Sequence, residues 1–481
     1  MVSLRAFARP GEPFMEQSAL QSECDSDHRL SALRIFSYVL PNLPLAALGL
    51  PIVVHLPRFY ASRQMGLSLA ATGLVFSLCR IADVFVDPIM GYVSDRLHTP
   101  IGRRRPMVLL GTPILALGIW MVFVPGGPVS ALHLSLWLFL MYLGWSMVTI
   151  PHLSWGAELS SDYHERSRIY GWAQVTIILG MVGVLIIPAF LEHAGGYPLA
   201  VQVLAMACFA LVFLVPAIAL VVGVVPEPPV LLKTHAPLLQ TLRFLLFDGA
   251  LRRVILADLL ASTSAGALGA MFFYFADFAL RLRVWAGTLL LAYFISGIIF
   301  VPAWMWLARH IGKDRTLRLS FAYTFVTVPL YLLLPAGHLL PALAIILLSG
   351  ANYGAPTFLL RAMMADVADL DTAHHGAERA GVMYSLLTLT NKFGLGWAVG
   401  ISFAILAWLG FDPKLHNSAL AIEHMRLFFI LCPIVLSLAN LWLLAGYPLN
   451  EVRQRVTRSA VDQQRRSQTK PAGAGPQDGP R

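Results

Sequence analysis

Cys79-Arg80-Ile81-Ala82-Asp83-Val84-Phe85-Val86-Asp87-Pro88-Ile89-Met90-Gly91-Tyr92-Val93-Ser94-Asp95-Arg96 runs from an apolar helix into a charged loop, which continues with Gly102-Arg103-Arg104-Arg105. Asp83 and Asp87 are four apart, so on a helix they share one face, and Arg80 lies on the same stripe. Ionisable groups at bilayer depth are expensive and turn toward a protein interior or a water-filled cavity. One guanidinium against two carboxylates leaves a formal charge of −1, which one monovalent cation would cancel. Without an ion, repulsion between the carboxylates favours uptake of a proton by one of them. The competing reading is a salt-bridged helix end, since Asp87 lies about two turns from the loop.

Working outward, the whole chain has the composition of a membrane-embedded protein. Of its 481 residues 57% are hydrophobic and 13% charged, with a mean hydropathy of +0.68. An ordinary soluble domain carries about 25% charged residues. Twelve apolar stretches are long enough to cross a bilayer: 34–60, 68–94, 106–125, 131–157, 168–191, 198–225, 253–280, 285–308, 316–336, 339–365, 381–410 and 423–447. All are predicted to be helices, because lipid offers no partner to an unpaired backbone group. Cys24, Cys79, Cys208 and Cys432 are scattered, and three sit in apolar runs, as expected of small buried hydrophobes.

Basic residues concentrate on one side of these spans. Arg96 and Arg103 to Arg105, Arg166 and Arg168, Lys233, Arg243, Arg252 and Arg253, and Arg309, Lys313, Arg315 and Arg318 fall in alternate loops. Arg58, Arg63, Arg281, Arg283 and Lys414 are exceptions on the other side. The positive-inside rule then places both termini in the cytoplasm of a cell bounded by the plasma (inner) membrane. Residues 1–33 are polar, without the apolar core of a signal peptide, and predict a cytoplasmic arm. Residues 448–481, rich in Gln, Arg, Gly and Pro, predict a disordered cytoplasmic tail.

The segment 226–252 divides the helices into six and six, 34–225 and 253–447. A repeat supports that division: Trp306-Leu307-Ala308-Arg309-His310-Ile311-Gly312-Lys313-Asp314-Arg315 follows span eight as the arginine-rich loop follows span two. Span eleven carries an isolated charge, Lys392, among the small residues Gly394 and Gly396. It needs an acid from another helix, and the span-two aspartates suit it if the halves face each other; snorkelling to an interface is the alternative.

Four stretches give the chain a family likeness over about residues 31 to 449. They are Arg80-x-x-Asp83-x-x-x-Asp87-Pro88-x-x-Gly91; Pro151 to Arg168 with Glu158, Asp162, Glu165 and Arg166; Ala365-Asp366-x-x-Asp369-x-Asp371 followed by Gly376-x-Glu378-Arg379-x-Gly381; and Lys392. In these the chain resembles the glycoside–pentoside–hexuronide:cation symporters, the melibiose-permease-like branch of the major facilitator superfamily. The resemblance implies an all-α membrane protein of twelve transmembrane helices in two six-helix bundles, the major facilitator fold. It also implies a secondary transporter with Asp83 and Asp87 as cation ligands and Arg80 and Lys392 as their charge partners. Asp95, Arg103, Arg104, Glu158, Asp162, Arg166, Asp366, Asp369 and Arg379 would form a cytoplasmic gate.

The chain departs from the sugar-carrying relatives at the expected solute positions. Span one reads Pro41-Asn42-Leu43-Pro44 and the stretch before Pro151 reads Met147-Val148-Thr149-Ile150, neither with an acid, and the span-five arginine position aligns with Gln174. The candidate cavity is therefore Asn42, Trp145, Thr149, Gln174, Asn352, Tyr353 and Asn391, with Trp155 and Trp397 as further stacking surfaces. The leading expectation is symport of a small organic solute, a sugar or glycoside, with a non-sugar amphipath such as a lysolipid as the alternative and a non-transporting sensor behind both. Val86 stands where sodium-using relatives often place Asn, so H+ is favoured over Na+ as the coupling ion. No cofactor and no metal beyond Na+ are expected. The partners are a small-molecule solute, a monovalent cation and the lipid bilayer, with the chain a monomer.

Enzyme chemistry lacks a sequence basis: there is no nucleophile elbow, no phosphate loop and no His pair on one helix face. His374-His375 reads as a solvated loop pair. Nucleic-acid binding is not implied, because the formal charge of +9 is what basic loops on one membrane face require.

Overall fold

The computed structural model describes residues 30–60, 62, 65–160, 162–195, 197–227, 248–375, 379–411, 417–448, 454 and 457. The expected N-terminal arm up to residue 29, Lys233 and Arg243 of the central segment, Glu378, and most of the expected tail lie outside the described residues, as do the side chains of His374 and His375. No strand occurs among the described residues, only an isolated bridge between Thr99 and Gly102.

Among the described residues twelve helical spans follow one another. α1 covers 32–60 in pieces, α2 is Leu69–Arg96, α3 Arg105–Phe123, α4 Ala131–Leu159, α5 Tyr163–Gly195 and α6 Leu199–Val224. α7 is Gly249–Ala279, α8 Ala286–Ile311, α9 Lys313–Leu333, α10 covers 339–375 in two pieces, α11 is Ala380–Trp408 and α12 Ala419–Leu444. Eleven of these are long and apolar enough to cross a membrane. The twelfth, α2, is 28 residues long but contains Arg80, Asp83, Asp87, Asp95 and Arg96. It lies against α4 on one side and α11 on the other, so those charges are sheltered by protein rather than by lipid.

The helix starts carry ordinary caps. Ser68, Ser130 and Ser418 accept from backbone N–H groups of the first turns of α2, α4 and α12, and Asp248 does the same for α7 at 2.7 Å. The breaks have equally local causes. Pro41, Pro44 and Pro51 fall inside α1, where each removes a donor. The span divides into Ala32–Val39, Asn42–Leu50, a π-helical turn Pro51–His55 and Leu56–Tyr60. α10 divides into Leu339–Gly350 and Ala355–His375, just ahead of Pro356, whose ring cannot follow a continuous helix. Side chains of α8 satisfy the carbonyls there: Ser296 donates to Leu347 O at 2.6 Å and Trp304 Nε1 to Ala351 O at 2.8 Å.

The spans form two bundles, α1–α6 and α7–α12. One apolar core fills the first bundle, with Leu115, Ile119, Leu138, Met141 and Trp155 fully enclosed. A second fills the part of the other bundle remote from the arginine-rich loops, around Phe275, Tyr331 and Phe429. The third joins the two, packing Leu153, Tyr170 and Ile178 of α4 and α5 against Val301, Phe358 and Tyr384 of α8, α10 and α11. The bundles meet chiefly where α2 lies against α11 and α5 against α8 and α10.

Candidate functional site

Asp83 and Asp87 are 1% and 0% exposed, on the α2 face turned to α4 and α11. Ser146 of α4 places its hydroxyl 2.6 Å from Asp87 Oδ1 and 3.2 Å from Asp83 Oδ1. Lys392 crosses from α11: its Nζ donates to Asp83 Oδ2 at 2.7 Å and lies 2.9 Å from Asp87 Oδ2. That second approach is an ion pair without hydrogen-bond geometry, so Asp87 Oδ2 is buried without a hydrogen bond. Arg80 sits at the rim, half-exposed, 3.4 Å from Asp83 Oδ2 and over the Tyr142 ring. Counting Lys392 corrects the charge deduced from α2 alone: two cations face two carboxylates, so the resting cluster is neutral. The lysine ammonium stands where a free cation would otherwise be drawn.

The expected gate residues separate into three groups. Within the first bundle Arg103 bonds Glu158 at 2.6 Å and Arg104 bonds Asp95 at 2.8 Å, Glu158, and Ser94 at 2.6 Å. Burial would lower the Arg104 pKa, but Glu158 and Asp95 outweigh it and hold the guanidinium above its ordinary value. Glu227 anchors the same loop by accepting from the Arg103 and Arg104 N–H groups at 2.6 Å each. Asp162 is the cap of α5, accepting from His164 and Glu165 N–H groups, and Arg379 pairs with Asp371, eight residues away in its own bundle. Glu158, Asp162 and Arg379 therefore bind partners of their own bundle in these described contacts, because each lies next to its own helix terminus.

Other expected gate residues do cross between bundles. Arg166 of α5 reaches Asp366 at 3.1 Å and Asp369 at 2.6 Å on α10. Asp95 accepts from Gly381 N–H at 2.8 Å and Val382 N–H at 3.0 Å, so the carboxylate at the end of α2 caps α11. Lys313 joins them, with Nζ 2.7 Å from Asp366 and its backbone N–H donating to Tyr163 OH at 2.8 Å. Gln454, expected in a solvated tail, is instead buried and donates to Asp369 at 3.4 Å. The two bundles are thus clasped at the arginine-rich face.

The expected cavity residues are not gathered in one place. Asn42 donates to Val39 O at 3.0 Å across the α1 break. Asn352 is held by Ser320 O and Thr324 Oγ1 of α9, and Asn391 donates to Ser262 of α7 at 2.8 Å. Trp155 is enclosed in the first core, its Nε1 donating to Pro226 O. These four donate to neighbouring helices or loops, although Asn352 Oδ1 is buried without a partner among the described residues. Trp145 packs on the first core. Trp397 lines an apolar crevice of about 320 Å³ between α7, α11 and α12. Tyr353 crosses to Met181 of α5, Gln174 lies beside Gly354 of α10, and both Gln174 Oε1 and Thr149 Oγ1 are buried without a partner.

Sequence reasoning missed Ser146, which carries no signal beyond being a serine in an apolar span. It also missed Asp258 and Arg361. Both are ionisable residues inside predicted spans, 253–280 and 339–365, and the cost of charge in lipid singles them out. Lys313, read as a loop charge, is 1% exposed inside the gate.

Residues 37–451 match the family described as MFS/sugar transport protein. The sodium-dependent lysophosphatidylcholine symporter 1 of Mus musculus is 22% identical, with 92% of this chain and 90% of that protein aligned. The isoprimeverose transporter of Lactiplantibacillus pentosus is 24% identical, with 83% and 85% aligned. Among solved structures, a bacterial homologue of the iron transporter ferroportin in an outward-facing state superposes with a TM-score of 0.64 at 19% identity. The match covers 87% of this chain and 99% of that one.

Proposed function

The chain belongs to the MFS/sugar transport protein family, and on that premise we propose that it couples the uptake of an amphipathic organic solute to a cation, H+ in preference to Na+. Membership makes it a major facilitator secondary transporter rather than an enzyme. The observation that carries the coupling is Lys392 lying against both Asp83 and Asp87 across the bundle boundary. A cation arriving at the carboxylates displaces the ammonium, and the bridge between α2 and α11 opens. Ion binding thereby alters a contact on which reorientation depends.

One detail favours the proton. The single Ser146 hydroxyl proton faces two carboxylate oxygens, so a second hydrogen bond there requires a proton on one of them.

For the solute, Asn42, Asn352 and Asn391 each direct the Nδ2 donor to a packing partner, which leaves fewer free donors for a sugar. Phe393, Trp397 and Phe403 of α11 are exposed, as apolar side chains on lipid-facing helix surface are. The positive-inside rule sets the arginine-rich face in the cytoplasm, so the clasped conformation is outward-facing.

The test is uptake by the purified chain in proteoliposomes. Accumulation of an amphipathic solute collapses with a protonophore and persists without sodium. Uptake indifferent to protonophore but abolished by sodium removal reverses the ion assignment, and uptake of sugars alone reverses the solute.

A further inference from the structure

Arg361 lies on α10, five residues before Asp366 and so about 7.5 Å deeper than the gate. Its guanidinium makes no hydrogen bond and no ion pair among the described residues, although it is only half-buried. Within electrostatic reach stand Asp258 of α7, Tyr170 of α5, Tyr38 of α1 and Tyr384 of α11, with His152 of α4. Both bundles contribute to this ring, so Arg361 occupies the middle of the carrier.

The surroundings are built and rigid. Tyr170 OH donates to Tyr384 OH at 2.6 Å, and Tyr384 OH donates to the Arg361 carbonyl at 2.8 Å. The Tyr38 ring stacks on His152 at 4.4 Å. Gly156 leaves the room those hydroxyls use, since a Cβ there would collide with Tyr38 OH and come 3.2 Å from Tyr170 OH. The one acid of the ring is engaged elsewhere: Asp258 accepts from Thr390 at 2.9 Å, and Asp366, further along α10, is engaged by Lys313 and Arg166.

A half-buried guanidinium at membrane depth, with no bonded partner among the described residues, is a functional candidate, because charge at that depth is costly. Its five donors form a planar fork that matches an oxyanion. We propose that Arg361 is the binding site for an oxyanionic group, phosphate or carboxylate, on the transported solute. The proposal rests on the transporter reading above and narrows the solute to an anion-bearing amphipath.

The test reads binding at equilibrium without an ion gradient, so a failure of the coupling reading leaves it intact. The full chain in dodecyl maltoside is unfolded by heat with dodecyl phosphate, dodecyl β-glucuronide or dodecyl β-glucoside, which share a tail and differ in the head. At least one of the two anionic compounds raises the midpoint by about 3 °C or more over the glucoside, and whichever does so identifies the oxyanion. Arg361→Gln abolishes that difference, a loss of roughly tenfold or more in affinity, without lowering the midpoint of the unliganded protein, since a desolvated charge has gone. Arg361→Lys, which keeps the charge and loses the fork, retains part of the shift. Equal shifts for all three compounds in the unaltered chain, or an undiminished anionic shift in either variant, overturns the assignment.

Discussion

Asp87 is fully buried, bonded by Ser146 on one oxygen and touched by the Lys392 ammonium on the other. Replacing it with Asn keeps the shape and the Ser146 contact but removes the charge that a cation must cancel. Asp87→Asn should abolish accumulation against a gradient while leaving solute exchange within about a few-fold of the unaltered chain, since the residue is asked for coupling rather than solute binding. Counterflow beside gradient-driven uptake in the same vesicles checks this; retained accumulation removes Asp87 from the coupling role. Ser146→Ala leaves the two inner carboxylate oxygens without their shared donor, a loss of about 1–3 kcal/mol. The half-maximal proton concentration for uptake should therefore shift, and an unchanged pH profile with normal uptake would exclude the hydroxyl. Spacing alone made Asp83 and Asp87 legible, because four residues on a helix define a face. Ser146 and the engagement of Asn42, Asn352 and Asn391 were not legible, because a polar side chain reports its own chemistry and not its neighbour.

At the scale of elements, α2 and α11 come together through glycine. A Cβ at Gly91 would strike the Gly381 carbonyl, and a Cβ at Gly381 would strike Asp95 and the Gly91 carbonyl. The same close approach lets Asp95 cap α11, a contact worth about 0.5–2 kcal/mol. Gly91→Leu should therefore wedge the two helices apart at the arginine-rich face. In a background without Cys24, Cys79, Cys208 and Cys432, a cysteine at Ser385, which is fully buried, should become reactive to a membrane-impermeant maleimide in that variant. No gain in labelling would show that this contact does not close the face. Hydropathy located most span ends within about five residues, but it read α10 as one helix ending at 365 rather than 375, and α5 as starting at 168. The α10 break depends on Pro356 and on Ser296 and Trp304 of α8 taking its loose carbonyls. α5 extends back to Tyr163 because Asp162 caps it.

For the whole molecule, closure at one face depends on few bonds between bundles. Arg166 with Asp366 and Asp369 is buried on both sides, and removing one partner of such a pair costs about 3–5 kcal/mol. Lys313 stays on Asp366, so Arg166→Gln should lose less than that. A shift of even about 1.4 kcal/mol moves the balance between conformations tenfold. The variant should open more often at the arginine-rich face, seen as faster maleimide labelling of the cysteine at Ser385 in an otherwise intact Gly91 background. Equal rates would mean that other contacts hold the face closed.

The sequence by itself determined that this chain crosses a membrane many times as helices, in two repeated halves, with two acids on one face of the second span. Hydropathy, charge alternation and helical spacing are local properties, so they can be read along the chain. Only the tertiary structure decided which charges meet. Lys392, from more than three hundred residues away, joins Arg80 in balancing an acid pair, the nominated asparagines turn their amide donors to packing partners, and Arg361 stands in the middle with no counter-charge bonded to it among the described residues. Those outcomes depend on how two bundles lie against each other, and the Coulomb and hydrogen-bond energies that fix them act only at contact distances that the chain's linear order does not contain.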